Sequence, residues 1–272
     1  MSIRVAVLGA TGGQGGAVVR ALRDGGHQVR AVVRDPYGAR ARALGAHGVE
    51  LVAGDLGDTS SLRARSPKWT QRSRSPRPSR TGRRRKWSRD ASVASANRST
   101  GIPHFDSKQR IEEILAQEGP PATVIAPTYF FENLLGDLQS LREGWLQLPL
   151  PPDRPLQQLA RQDLGALVTA VVSDPERHVG RRIEAASDAP TPAQMAAALQ
   201  RVLHHPVEPV QVPLALVYES SADMGAMWDF INREGYTVDI GALHRSYPDI
   251  AWTTFAAWAA GDPAIGAHGS VL

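Results

Sequence analysis

A chain of 272 residues, 42% of them hydrophobic, is long enough for one large α/β domain, alone or with a small lobe beside it. It contains no cysteine, which excludes a disulfide scaffold, a zinc–cysteine centre and a catalytic thiol and fits a reducing compartment. The net charge of +4 suggests a nucleic-acid binder, but residues 59–89 hold twelve of the 31 Lys and Arg and no acid, leaving 19 basic against 27 acidic groups elsewhere, a balance of −8.

In chain order, Met1-Ser2-Ile3-Arg4-Val5 enters a strand at once. No charged leader precedes an apolar core, so no signal peptide is expected. Residues 3–8 are short, β-branched and bounded by Gly9, which predicts a strand buried on both faces. Residues 12–24 repeat Ala17, Val18, Ala21 and Leu22 at helical spacing and stop at Gly25-Gly26. A second strand is predicted at 28–33, a short helix at 39–44, and a third strand at 48–53 ending on Gly54-Asp55. Strand, helix, strand, helix, strand in this space is the pattern of a doubly wound parallel sheet, a Rossmann-type α/β fold.

The pattern then breaks. Residues 63–92 contain no Val, Ile, Leu, Met or Phe, and their large apolar groups are Trp69 and Trp87. Such a stretch buries too little surface to offset its ordering entropy, so 63–90 is expected to be irregular where a fourth buried strand is due. Beyond it, 108–118 reads as a helix with Ile111, Ile114 and Leu115 on one face, and 122–126 as a strand. A helix follows at 130–141, with Asn133, Leu134, Leu138 and Leu141 near one face. Another lies within 159–173, with Asp163 in its first turns. A late strand is expected at 182–186. Thr191, Pro192 and Gln194 open a helix running to Leu203. A strand at 207–212 and helices at 214–233 and 253–260 complete the chain. The organisation expected is a nucleotide domain over 1–150 and a smaller lobe over 151–272, with 180–187 returning to the main sheet. The longest apolar stretches, such as 164–172, are too short to span a bilayer, and a cytoplasmic protein is expected.

Gly9-Ala10-Thr11-Gly12-Gly13-Gln14-Gly15 fits G-x-x-G-x-x-G directly after a strand and at the start of a helix. There one glycine permits the tight turn, one lets the backbone approach a pyrophosphate, and one lets helix and strand pack closely. The free amides and the positive helix end then face phosphate. Gly9, Thr11, Gly12, Gln14 and Gly15 are therefore candidate cofactor ligands. Arg34 stands at the end of the second strand, where an acid would grip a ribose 2′-hydroxyl; its fork matches a 2′-phosphate, which favours NADP over NAD. Read alone, Arg34 is equally a solvated strand-end charge, and Arg40 and Arg42 are helpers or outward helix residues. Asp55, with Leu56 beside it, either accepts from an adenine amino group or begins a turn.

The glycine loop, Arg34, Gly54-Asp55, His104-Phe105-Asp106-Ser107-Lys108 and Phe131-Glu132-Asn133-Leu134 together resemble the NmrA-like family of atypical short-chain dehydrogenases/reductases, most of all its redox-sensor branch. The resemblance covers residues 1–62 and about 91–260. It implies a Rossmann domain that binds NADP(H), with a smaller C-terminal lobe. The broader class uses Tyr-x-x-x-Lys, in which the lysine holds the nicotinamide ribose and lowers the tyrosine pKa. Here the spacing is His104-x-x-x-Lys108. His104 and Lys108 are thus the candidate catalytic residues. Their plainer readings are a pocket-lining or helix-start histidine and a solvated lysine. The resemblance also places Thr128, Phe130 and Asn133 beside the nicotinamide, although Phe130 and Phe131 taken alone read as core aromatics. No metal site is expected; His204-His205 lacks ligand spacing.

The resemblance implies a cofactor-binding redox-sensing or regulatory protein with a regulatory protein partner. The alternative is an NADPH-dependent oxidoreductase of a quinone or other small carbonyl-type substrate. Neither membrane nor nucleic acid is an expected partner. The family has a fourth strand, a helix and a fifth strand between the positions of Leu62 and Ser92. Here the Arg-, Ser- and Pro-rich text reads as a basic insert, as an irregular loop, or as GC-rich coding sequence translated out of frame. The polypeptide as written is expected to be destabilised and to bind NADP weakly.

Overall fold

The computed structural model describes residues 2–55, 58, 100–118 and 121–266. The readings that fall on Leu56 and on 63–90 lie outside the described residues. Two units are present: Met1–Lys86 with Leu164–Arg177, and Trp87–Asp163 with His178–Leu272.

The first unit builds β1 (Arg4–Leu8), α1 (Gly13–Asp24), β2 (Gln28–Val33), α2 (Ala39–Ala46) and β3 (Glu50–Ala53). The order is β1-β2-β3, all parallel. Gly25 ends α1, its amide bonding to Ala21 O, and Gly26 turns the chain back toward β2. Val29, Ala31 and Val33 alternate into a core that also holds Val7, Val19, Leu22, Ala41 and Val49. Arg30 on β2 pairs with Glu50 on β3 at 2.6 Å.

β1 departs from expectation. Val5 and Val7 turn inward, but Arg4, Ala6 and Leu8 are exposed, Leu8 at 45%. Among the described residues β1 is bonded to β2 alone and forms the sheet edge. A parallel strand buried on both faces needs a helix layer on each. Residues 63–92, where a further buried strand and its helix were expected, contain no aliphatic run.

The second unit contains α3 (Pro103–Glu118), β4 (Val124–Pro127), β5 (Tyr129–Phe130), a 3₁₀ helix (Phe131–Asp137), α4 (Leu138–Arg142), β6 (Trp145–Leu148) and β7 (Gln158–Leu159). α5 (Arg161–Ser173) begins in this unit and continues in the first, and α6 (Pro175–His178) follows it. Then come β8 (Arg182–Ala185), α7 (Pro192–Leu203), β9 (Glu208–Gln211), α8 (Leu214–Ser220), α9 (Ala222–Arg233), α10 (Ile240–Ser246), α11 (Phe255–Gly261) and α12 (Pro263–Gly266). The strands pair in parallel as β4 with β8, β5 with β7, and β6 with β9. Phe131, Met195, Leu199, Trp228, Phe230, Phe255 and Trp258 anchor the core.

Three readings are corrected here. The helix expected over 130–141 is a two-residue strand, a 3₁₀ helix and a short α-helix. The helix expected over 214–233 breaks at Ser221, whose side chain caps α9 by accepting from Met224 N. The apolar stripe on α3 is not a core face: Ile111 and Ile114 are 57% and 44% exposed, and the helix anchors through Phe105, packed against the core that holds the preceding Ile102. Apolar spacing marks a face, but a covering element has to bury it. Among the described residues no helix is long and apolar enough to cross a membrane, and no group of three or more His, Cys, Asp or Glu could hold a metal ion.

Candidate functional site

In the first unit the candidate residues cluster at the carboxyl ends of β1, β2 and β3. The chain leaves β1 through Gly9, with φ +68°, and the amide of Gly12 closes the turn on Gly9 O at 2.9 Å. A Cβ on Gly15 would stand 2.3 Å from that same oxygen, so α1 starts against the turn because Gly15 has no side chain. Gly12 is the N-cap; no side chain caps the helix and no acid lies in its first turn. The leading amides are thus left for an external acceptor. Among the described residues, no atom lies within 4 Å of a Cβ added at Gly9, so open space lies beyond it. Uncapped amides, a positive helix end and this opening fit a diphosphate. Thr11 is half-buried and Gln14 exposed beside it.

Arg34 directly follows β2, exposed and with no ion pair among the described residues. Its neighbour Asp35 is committed to the local turn, accepting the Tyr37 amide at 2.9 Å. Tyr37, 83% exposed, escaped the sequence reading; a large aromatic in the loop after the second strand was the available signal. Asp55 is exposed after β3, and its carbonyl accepts from Asp58 N.

In the second unit α3 carries His104 and Lys108 one turn apart. Thr100 ties the start of the helix by donating its amide and hydroxyl to Asp106 Oδ1 at 2.7 and 2.8 Å. The half-buried His104 places Nδ1 2.7 Å from Asp223 Oδ2, and its amide donates to Asp223 Oδ1 at 3.3 Å. The hydrogen bond from His104 holds the Asp223 carboxyl below its usual pKa range, and Lys108 adds to this. Lys108 is exposed. Sequence reasoning missed Asp223, which lies 119 positions from His104.

The remaining candidates divide. Thr128 is buried and bound to the sheet, its amide and hydroxyl both donating to Ala185 O. Phe130 is buried, with the Arg161 guanidinium 5.9 Å from its ring centre. Asn133 is exposed on the 3₁₀ helix and bonds the Tyr129 side chain. Burial pushes the Tyr129 phenol up, against the lowering bond from Asn133, and it pushes Tyr236 up as well. Both phenols therefore stay protonated at neutral pH. Burial also raises Glu132, whose Oε1 accepts from Arg161 N at 2.9 Å.

The model of the NmrA-like family matches residues 1–65 and 89–259. An NAD(P)H azoreductase of Xenophilus azovorans is 27% identical over 249 residues, covering 81% of each chain. The crystal structure of NmrA, a negative transcriptional regulator in complex with NADP, superposes with a TM-score of 0.64 at 18% identity, covering 96% of this chain and 94% of that one. A NADPH-dependent quinone oxidoreductase from Escherichia coli superposes with a TM-score of 0.68 at 23% identity, covering 94% and 97%. The fold is thus the Rossmann-like α/β fold of these proteins.

Proposed function

The chain belongs to the NmrA-like family, and from that premise we propose that it binds NADP(H) and acts as a NADPH-dependent oxidoreductase on a conjugated acceptor such as a quinone. The observation that carries the reading is the glycine turn, with its uncapped helix start and the opening beyond Gly9. In this reading Gly9, Thr11, Gly12, Gln14 and Gly15 hold the pyrophosphate. Arg34 grips the 2′-phosphate, and Asp55 takes the adenine side. Lys108 is proposed for the nicotinamide ribose, and Thr128, Phe130 and Asn133 for the ring. The bound cofactor supplies the hydride. An NAD(P)H azoreductase and a NADPH-dependent quinone oxidoreductase are among the proteins to which the chain is similar, which supports this reading.

A regulatory reading stands beside it, favoured by one observation: His104 stands where the class has its tyrosine. Cofactor occupancy would then alter the surface offered to a protein partner through unequal affinity for two conformations, as likeness to a transcriptional regulator suggests. Calorimetry and turnover separate the two. NADPH is expected to bind at least about tenfold more tightly than NADH, and Arg34→Ala to erase that preference, since a charge-assisted bond to phosphate is lost. NADPH oxidation with a panel of quinones, abolished in Lys108→Ala, supports the enzyme. Tight binding with no oxidation supports the regulator, and binding of neither dinucleotide at millimolar concentration removes both.

A further inference from the structure

The His104–Asp223 pair joins the first turn of α3 to the first turn of α9. One carboxylate holds the histidine twice, through its ring nitrogen and its backbone amide. The Phe105 ring meets the imidazole edge-on at 4.6 Å and is itself backed by Phe230 at 5.9 Å, so the ring plane is fixed as well. Nε2 makes no hydrogen bond among the described residues, and the His104 side chain is 29% exposed.

We propose that His104 is a proton donor to the reduced acceptor and that Asp223 is its positioning residue, an inference that rests on the oxidoreductase reading. A carboxylate accepting at Nδ1 dictates which ring nitrogen is left to exchange a proton. An aspartate is ionised at neutral pH, and the hydrogen bond from His104 lowers the Asp223 pKa further, so the carboxylate is available to accept from Nδ1. Hydride addition leaves the acceptor with a negative charge on oxygen or nitrogen. Starting from the imidazolium, the Nε2–H bond breaks, its electron pair stays on Nε2, and the proton forms the new O–H or N–H bond. The ring ends neutral with its Nδ1 proton still given to Asp223, and water returns a proton to Nε2. One hydride and one proton complete the two-electron reduction. A tie between two helix ends would need neither the free nitrogen nor the double grip, and a half-exposed pair contributes little to stability.

The test uses the full chain labelled with ¹⁵N-histidine. Long-range ¹⁵N–¹H spectra are expected to show neutral His104 protonated at Nδ1, and Asp223→Ala to move that proton to Nε2. With NADPH and a quinone, His104→Gln and Asp223→Ala are each expected to lower kcat about 10²-fold with KM nearly unchanged. Asp223→Glu should recover part of the loss. Asp223→Asn, nearly identical in shape, serves if the alanine variant misfolds and should act in the same direction. A tautomer unmoved by Asp223→Ala, or kcat held within about threefold of the parent, overturns the pair while leaving the oxidoreductase reading intact. A parent protein that binds NADPH yet reduces no acceptor overturns that reading, and the donor role with it.

Discussion

A methyl group at Gly15 would press on the Gly9 carbonyl at 2.3 Å and on Ala10 Cα at 3.0 Å. Both neighbours are backbone, so nothing yields except the angle at which α1 leaves the turn. Gly15→Ala should therefore cost about 1–3 kcal/mol of stability and reduce NADPH affinity by at least about tenfold, because the leading amides no longer converge. Urea midpoints and calorimetry measure the two effects, and unchanged affinity would remove Gly15 from the site. This residue was legible in sequence because its constraint is local: a turn and a helix start within seven positions. Arg34 was proposed on equally local grounds, from its place at the end of its own strand. Asp223 and Tyr129 were not legible. Asp223 is bonded to His104, 119 positions away, and the Tyr129 phenol is pushed up by burial. No spacing in the chain announces either.

Asp163 shows how one side chain secures an element. It sits in the first turn of α5, 2% exposed. It accepts the Ser187 hydroxyl and both the amide and hydroxyl of Thr253, the last two at 2.8 and 2.7 Å. A carboxylate at a helix N-terminus also meets the positive end of the dipole. Asp163→Ala would leave buried donors from two distant loops unpaired, so stability should fall by about 3 kcal/mol. Asp163→Asn, which keeps one acceptor oxygen, should lose less. Equal urea midpoints for the alanine variant and the parent would show that the loops re-pair elsewhere. Elements whose ends are chemically marked were read well: α7 carries the expected capping box, Thr191 accepting from Gln194 N while the Gln194 side chain accepts from Thr191 N. Elements identified by apolar spacing alone fared worse. Leu134 and Leu141 are buried as expected, yet the backbone between them is 3₁₀ and then α, because burial fixes side chains without fixing the hydrogen-bond ladder.

At the scale of the molecule, the family match stops at residue 65 and resumes at residue 89, and this interruption falls in the stretch without aliphatic residues. The remaining pattern was strong enough to reveal the fold. The two units differ in what they bury. The first is built mostly from Val and Ala around Leu22. The second buries Phe131, Trp228, Phe230, Phe255 and Trp258 among leucines, and each aromatic removes far more surface from water than a valine does. The first unit should therefore open at lower denaturant. In native-state hydrogen exchange with rising urea, amides of β1, β2 and α1 should lose protection before those of β6, α7 and α11. NADPH at about a hundred times its Kd should raise protection of β1 and α1 by about 2.7 kcal/mol, since the glycine turn belongs to that unit. Exchange of all these segments in one step, at a single urea concentration, would mean that the two cores unfold as one and that the exposed face of β1 carries no energetic consequence.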